Sequence, residues 1–176
     1  IIKELSVAAR GGGGDPDMNP RLRTIIAEAK AVNMPADNIK RAIQRGTGEL
    51  PGVSYEEVTY EAYGPGGAAL IIEVLTDNRN RTVGELRHTL TKYGGNLGET
   101  NSVAWMFQPV LDASKAFGIE TVAAEIAMLP QNYVKLEGKS AQQMVKLMDI
   151  LEDHEDSKKV WSNADIEEKE IEASLA

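Results

Sequence analysis

Cysteine is absent from this chain of 176 residues, which excludes disulfide bonds and thiolate metal sites. His88, one of two histidines, lies on a predicted helix without a second ligand nearby, so we expect a surface side chain rather than a metal ligand. The longest apolar run, residues 68–75, is interrupted by Glu73 and is far shorter than the ~20 residues that a membrane helix needs. No signal-peptide pattern is present, and because the first residue is isoleucine we expect the native start to lie upstream.

Positive charge is scarce overall but is concentrated near the front of the chain. The net charge is −8, yet residues 1–50 carry a balance of +2, residues 51–108 of −3 and residues 109–176 of −7. Such asymmetry predicts that only the front segment faces an anionic partner. The alternative is that a balance of +2 is ordinary variation in composition. The pI of 4.9 favours this alternative, because it is well below the basic values usual for nucleic-acid-binding domains.

Two amphipathic helices are predicted between Gly11 and Gly48. Asn19 is a suitable N-cap, and Pro20 fits the first helical position, where its missing N–H costs nothing. Pro35 opens the second helix and Gly46 is predicted to end it. The apolar faces, which we expect to be turned together, consist of Leu22, Ile25, Ile26, Ala29, Ile39, Ala42 and Ile43. The outer surface would then be basic.

Residues 1–10 are typical of the end of another helix, which the glycines of residues 11–14 are predicted to stop. A glycine run before a helix also suggests a phosphate cradle. The GxxxxGK[ST] and GxGxxG spacings are absent, however, and no strand precedes the run. We therefore interpret it as a flexible hinge between helices.

The pattern changes from helical to alternating after a linker at residues 49–54. Tyr55–Tyr63 is predicted to be a half-buried strand with Val58, Tyr60 and Ala62 on one face and Glu57, Thr59 and Glu61 on the other. Residues 68–75 form a second, more buried strand. The tyrosines could stack on nucleic-acid bases, but strand aromatics more often serve packing.

A helix and a third strand follow. Thr82 and Glu85 predict a capping box for the helix, which Gly94 ends. Val103, Trp105 and Phe107 are predicted to share one face of the strand. That strand then continues directly into residues 109–118, a helix-like segment, without turn residues. We therefore predict that residues are missing at 108/109 and that the Cα–Cα distance there exceeds the ~3.8 Å of a trans peptide.

The second half repeats the order strand, helix, strand. Residues 122–128, 133–136 and 158–162 are predicted strands, and Ser140 is predicted to cap the helix between the last two. The buried face of that helix consists of Met144, Leu147, Met148 and Leu151. Ile166 and Ile171 could anchor a helix in the acidic tail. Two strand–helix–strand units indicate a split βαβ, ferredoxin-like arrangement and an α+β fold class.

Several long motifs make the chain resemble the YebC/PmpR family, which includes bacterial proteins called transcriptional regulators and the mitochondrial translational activator of cytochrome c oxidase. The motifs cover nearly all of the chain. They are GGGDP at 12–16, NPRLR at 19–23, NMPADNIKRAI at 33–43, YGPGG at 63–67, NRNRT at 78–82, LRHTLTKYGG at 86–95, PQN at 130–132 and SNAD at 162–165.

The resemblance implies a helical N-terminal domain followed by ferredoxin-like α/β domains, one inserted in the other and largely missing here. We expect residues 1–50 to form the helical, nucleic-acid-facing domain and residues 51–108 plus 130–166 the split βαβ domain. Residues 109–129 would be a remnant of the inserted domain and residues 167–176 an acidic tail. The lysine-rich start of the family is absent before Ile1, so the +2 balance is expected to underestimate the charge of the front domain.

Basic side chains are the predicted nucleic-acid ligands: Arg10, Arg21, Arg23, Lys30, Lys40, Arg41, Arg45, Arg79 and Arg81. Arg79 and Arg81 precede a predicted helix, whose N-terminal N–H groups also favour phosphate. The alternative, which the sequence favours equally, is that Arg79 and Arg81 are solvated side chains of a loop.

The resemblance implies two functions, which we leave open here. One is DNA binding at promoters, with contacts mainly to phosphates because no recognition helix of a helix-turn-helix is visible. The other is a translation factor that binds ribosomal RNA by shape and relieves stalling. We expect no enzyme, because the carboxylates of residues 152–156 are typical of a solvated helix end.

The expected partner is therefore DNA or ribosomal RNA. We expect no membrane, no small-molecule substrate, no cofactor and no metal. The expected state is a monomer in the bacterial cytoplasm, or in the mitochondrial matrix if the protein is eukaryotic.

Overall fold

The computed structural model describes residues 1–111 and 126–175 and confirms the α+β class. The chain forms two compact units. The helical unit comprises Ile1–Glu57 and Leu75–Asn78, and the sheet unit comprises Val58–Val74 and the described residues from Arg79 onward. The boundary predicted at residue 50, like the other predicted domain boundaries, stays a prediction.

Three helices form the core of the helical unit: α1 (Ile2–Gly12), α2 (Pro20–Ala31) and α3 (Ala36–Thr47). Asn19 caps α2 as predicted, since its Oδ1 accepts the Leu22 N–H at 3.0 Å. Its Nδ2 also donates to the carbonyl of Ala8 at 2.8 Å, which ties the start of α2 to α1. The shared apolar core consists of Leu5, Ala8, Ala9, Leu22, Ile25, Ala29, Ile39 and Ala42.

The prediction that Gly46 ends α3 is wrong. The helix continues to Thr47, and Gly48, with a φ of 81°, is the left-handed cap residue. Gly46 is buried inside the helix, where an added Cβ would lie 2.2 Å from the carbonyl oxygen of Ser6 in α1. The Ser6 hydroxyl donates to the carbonyl of Ala42 at 2.9 Å. The predicted pair of helices therefore packs on a third helix, α1, rather than mainly on itself.

The remaining elements, in chain order, are β1 (Glu56–Tyr63), β2 (Ala69–Thr76), α4 (Arg79–Lys92), β3 (Asn96–Leu97), β4 (Phe107–Leu111), β5 (Ile126–Pro130), β6 (Val134–Leu136), α5 (Gly138–Glu152), β7 (Ser157–Ser162), β8 (Ala164–Ile166) and α6 (Glu168–Leu175). Short 3₁₀ turns lie at Pro65–Gly67 and Ala104–Met106.

The main sheet has four strands in the order β3–β1–β2–β7. Strand β1 lies between β2 and β3, so β2, α4 and β3 form a split βαβ unit. The arrangement was predicted, but its third strand was predicted at residues 103–107, whereas β3 lies at Asn96–Leu97. The second predicted unit differs, because the three-residue strand β6 pairs in parallel with β8 instead of joining the main sheet. The buried face of α5 is as predicted, with Met144, Leu147 and Leu151 in the core beneath the sheet.

Three local predictions in the sheet unit are wrong. Trp105 does not share a face with Val103 and Phe107, because Ala104–Met106 form a 3₁₀ turn that leaves the indole 66% exposed. Thr82 does not cap α4, which begins three residues earlier. Ser140 does not cap α5, whose N-cap residue is Glu137.

The strand β4 runs continuously through Gln108 and Pro109. It pairs antiparallel with β5, and the register advances one residue at a time with Pro109 opposite Met128. The predicted discontinuity of the backbone at this position is therefore wrong, as is the helical prediction for residues 109–111. That residues are missing at 108/109 stays a prediction. The rest of that predicted helix, and residues 122–125 of the predicted strand, lie outside the described residues.

Candidate nucleic-acid interface

Seven of the nine predicted ligands belong to the helical unit, and all seven side chains are exposed. On α2, Arg23 and Lys30 are seven residues apart, which places them within about 20° of each other around the helix axis. The buried residues of α2 are Leu22, Ile25 and Ala29. Arg23 and Lys30 therefore share one side of α2, away from the core.

On α3, Arg41 and Arg45 are one turn apart and Lys40 is the neighbour of Arg41. The opposite face, formed by Ile39, Ala42 and Gly46, is buried against the core. Because the apolar side of α3 must face the core, the basic side chains on its other side point toward solvent.

The positive charge is local to these two helices. Residues 20–47 contain six basic and two acidic side chains. The complete helical unit contains eight basic and nine acidic side chains, since Glu56, Glu57 and Asp77 are part of it. An anionic partner would therefore be attracted to α2 and α3 rather than to the unit as a whole.

Two of the seven cations are held by contacts within the helical unit. Arg21 forms a two-pronged ion pair with Glu57, in which Nη1 lies 3.0 Å from Oε2 and Nη2 contacts Oε1. Arg10 donates from Nη1 to the carbonyl of Tyr55 at 2.6 Å. Lys3, which was not predicted, donates to the carbonyl of Leu75 at 3.4 Å. These side chains fasten α1 and α2 to the segments that continue into β1 and β2.

Arg81 is engaged in a partly buried ion pair of the sheet unit. Its Nη2 lies 2.7 Å from Oδ2 of Asp156 and 3.5 Å from Oε1 of Glu155. Asp156 is only 2% exposed and also accepts the hydroxyl of Thr82 at 2.7 Å. The interpretation of this carboxylate as part of a solvated run is therefore wrong. Arg79 is exposed at the first residue of α4.

Five cations have no ion-pair partner among residues 1–111 and 126–175. They are Arg23, Lys30, Lys40, Arg41 and Arg45, and we call them the cation set. Because they are exposed and unpaired, an approaching phosphate would not have to displace a carboxylate.

A cleft that the sequence analysis missed lies beside the cation set. It has a volume of about 540 Å³ and is formed by one side of α3, with Lys40 at its rim, and by the loop that follows α1. The spacing of Ala36, Lys40, Ile43 and Thr47 along one side of α3 is the signal that could have revealed it.

Glu61 is the other carboxylate with a distinctive environment. It was predicted on the open face of β1 but is only 9% exposed, and it accepts the backbone N–H groups of Asn101, Val103 and Ala104 at 2.6, 2.7 and 2.8 Å. Burial works to raise its pKa, but these hydrogen bonds prevail and the pKa lies below the ordinary value. The carboxylate thus anchors the loop before β4 and has a structural role.

Few other candidate functional groups lie in the described part of the chain. Those residues contain no group of three or more histidine and carboxylate side chains that could hold a metal ion. The partly exposed pair of His154 Nε2 and Glu85 Oε2, 3.1 Å apart, links α4 to the turn after α5. Within the same residues, no helix combines the length and hydropathy that a membrane crossing requires.

Comparison with known proteins places both parts of the chain in one family. The model described as "TACO1/YebC protein N-terminal domain" matches residues 1–49. The model described as "TACO1/YebC second and third domain" matches residues 55–112 and 108–164.

Similar full-length proteins carry the name "Probable transcriptional regulatory protein". The one from Koribacter versatilis is 47% identical over 218 residues, which cover 98% of this chain and 88% of the relative. The one from Acidobacterium capsulatum is 48% identical over 216 residues, with 97% and 87% covered. An alignment of 218 positions is at least 42 longer than this chain of 176, so the Koribacter relative contains residues without a counterpart here.

A solved structure shows the same fold. The crystal structure of a conserved hypothetical protein from Aquifex aeolicus superposes with a TM-score of 0.84 and 34% identity, covering 95% of this chain and 88% of that one. The sequence identity, the coverage and the fold agree. The chain belongs to the TACO1/YebC family.

Proposed function

We propose that this protein is a DNA-binding regulator of gene expression that binds the phosphate backbone through α2 and α3. The observation that carries the proposal is the cation set, five exposed basic side chains without an ion-pair partner among the described residues. Relatives named as probable transcriptional regulators support it. Such a protein would act in the compartment that holds the chromosome, which in a bacterium is the cytoplasm.

The contacts would be electrostatic and only weakly dependent on sequence. Arg41 and Arg45 are separated by about 6 Å along the helix axis, so they can contact separate phosphates of one strand. Neither α2 nor α3 presents a row of asparagine, glutamine and arginine at its N-terminus of the kind that reads base edges in the major groove. Arg10 and Arg21, in contrast, would act as positioning residues that keep the helices fastened to the chain beyond them.

Charge reversal on α3 tests the proposal. Binding of the purified protein to a 30-base-pair duplex DNA and to an RNA hairpin of similar length, whose loop contains no guanine, is measured by fluorescence anisotropy at fixed salt. Arg41→Glu combined with Arg45→Glu is expected to weaken DNA binding at least tenfold. The control, Lys139→Glu with Lys146→Glu on exposed positions of α5, changes the net charge equally.

An unchanged affinity in the α3 variant, or an equal loss in the control, would overturn the proposed surface. Tighter binding to the RNA hairpin than to DNA at the same salt would indicate that this surface binds RNA. It would overturn the assignment of DNA as the target.

A further inference from the structure

The cleft beside the cation set has the dimensions of a ligand site. One wall is the side of α3 that carries Lys40, Gln44 and Thr47, and the other is the loop with Gly14 and Asp15. Its volume of about 540 Å³ falls within the range of small-molecule sites and exceeds the size of one nucleobase.

The floor of the cleft is apolar. Ile39 and Ile43 line it, and Ile39 is only 7% exposed. Gly14 is pressed against this floor, since an added Cβ would lie 3.1 Å from Cγ2 of Ile43. A flat apolar surface of this kind can accept the face of a base that has left its stack.

A carboxylate lies at one end of the cleft. Oε1 of Glu49 lies 3.1 Å from the hydroxyl oxygen of Thr47, whose single proton has the carbonyl of Gln44 at 3.2 Å as its alternative acceptor, and Oε2 lies 3.4 Å from Nε2 of Gln44. Each oxygen keeps a lone pair for a further donor. Two adjacent carboxylate oxygens match two parallel N–H donors, which among the Watson–Crick edges of the four bases only guanine presents, through N1–H and the 2-amino group.

The charges around the cleft support a nucleotide as the occupant. Lys40 at the rim belongs to the cation set, and Arg41 follows it on α3, so phosphates can be bound just outside while the neutral base lies inside. Glu49 and, on the opposite wall, Asp15 offer carboxylate oxygens as acceptors for base N–H groups, and Oδ1 of Asp15 also accepts the backbone N–H of Asp17 at 2.9 Å.

We propose that this cleft binds one unpaired guanine of a single-stranded segment, with Glu49 accepting from its Watson–Crick edge and Lys40 contacting its phosphate. The inference rests on the proposed function, because the neighbouring cations hold the strand. A paired guanine cannot enter, since cytosine occupies the same edge. The cleft would therefore add a preference for an unpaired guanine, in locally melted DNA or in a single-stranded loop, to the duplex binding that the cation set provides.

Inosine provides a sharp probe because it lacks only the 2-amino group of guanine. Full-length protein is titrated with uridine-rich 12-mers that contain one central guanosine or one inosine, with the deoxy equivalents, and with a 12-base-pair duplex. We expect the guanine oligomers to bind about tenfold more tightly than the inosine oligomers. Glu49→Gln should abolish this difference without weakening duplex binding.

Ala36→Phe fills the cleft from an exposed position of α3, and Ala27→Phe on exposed α2 is its control. Only the first variant should remove the guanine preference. Equal binding of guanine and inosine by the native protein, or an equal loss of duplex binding in Ala36→Phe, would overturn the cleft assignment. These outcomes leave the proposed function standing if Arg41→Glu with Arg45→Glu still weakens duplex binding at least tenfold, so the two failures are distinguishable.

Discussion

Gly46 of α3 faces the carbonyl oxygen of Ser6 in α1 so closely that a Cβ at this position would lie 2.2 Å from that oxygen. The Ser6 hydroxyl meanwhile donates to the carbonyl of Ala42, one turn earlier on α3. The two helices are thus in direct backbone contact at this point. The position of α3, and of the cations that it carries, depends on this contact.

Gly46→Ala is expected to destabilise the protein by about 1–3 kcal/mol, because α1 and α3 must move apart to admit the methyl group. Chemical denaturation followed by circular dichroism measures the change. Gly11→Ala is the matched control: Gly11 also lies in a helix, no atom lies within 4 Å of its added Cβ, and alanine there should be neutral or slightly stabilising. Equal effects in the two variants would contradict the close contact.

Glu61→Gln should destabilise the protein by about 2 kcal/mol, because the amide of glutamine turns a donor toward backbone N–H groups that need acceptors. The loss should be local at first. Hydrogen exchange is therefore expected to accelerate at the amides of Asn101, Val103 and Ala104 before the rest of the sheet unit. Unchanged protection at these amides would argue against the anchoring role.

The same carboxylate predicts an acid-sensitive component of stability. Its pKa is lower in the folded protein than in the unfolded chain, so its contribution is complete above the ordinary glutamate pKa of 4.5 and disappears as the pH falls through the lower folded value. Denaturation midpoints at pH 7 and across the acid range, compared between the native protein and Glu61→Gln, measure it. The stability difference between the two proteins should shrink in acid; a constant difference would contradict the assignment.

Asp156→Asn should cost about 2–3 kcal/mol of stability, because it weakens the ion pair with Arg81 and the hydrogen bond from Thr82. Arg81→Ala is expected to lower the melting temperature similarly while leaving nucleic-acid affinity within about twofold. A large loss of affinity in a folded Arg81→Ala variant would restore Arg81 as a nucleic-acid ligand.

Arg21 and Arg23 allow a comparison within one helix. Both are exposed arginines of α2, but Arg21 is paired with Glu57 whereas Arg23 has no ion-pair partner among the described residues. Arg23→Ala should therefore weaken DNA binding more than Arg21→Ala does. Titrations of both variants at equal salt measure the difference, and the opposite order would contradict the division between binding and positioning residues.

Much of the local structure could be predicted where the physical cause is local. The N-cap at Asn19, the buried stripe of α5 and the short strand β6 follow from hydrogen-bonding capacity and hydrophobic period within a few residues. The exposure of the basic side chains on α2 and α3 follows from the same period, since the opposite face of each helix is apolar.

The wrong predictions depended on partners distant in sequence. Gly46 has the sequence signature of a helix stop, but the backbone of Ser6 determines its role. Thr82 has the signature of a cap, but the buried Asp156 occupies its hydroxyl. Glu61 alternates as a solvent-facing strand residue should, yet the loop at 101–104 covers it. None of these partners can be identified from spacing in one sequence.

The salt dependence of DNA binding tests most directly that the cation set meets phosphates. If all five side chains do so, log Kobs should fall with log[salt] at a slope of about −4.5 for duplex DNA, since each neutralised phosphate contributes roughly 0.9. Replacing Arg41 and Arg45 by glutamine should reduce the slope to about −2.7. A slope near zero in the native protein, or one that the double variant leaves unchanged, would contradict the proposed interface.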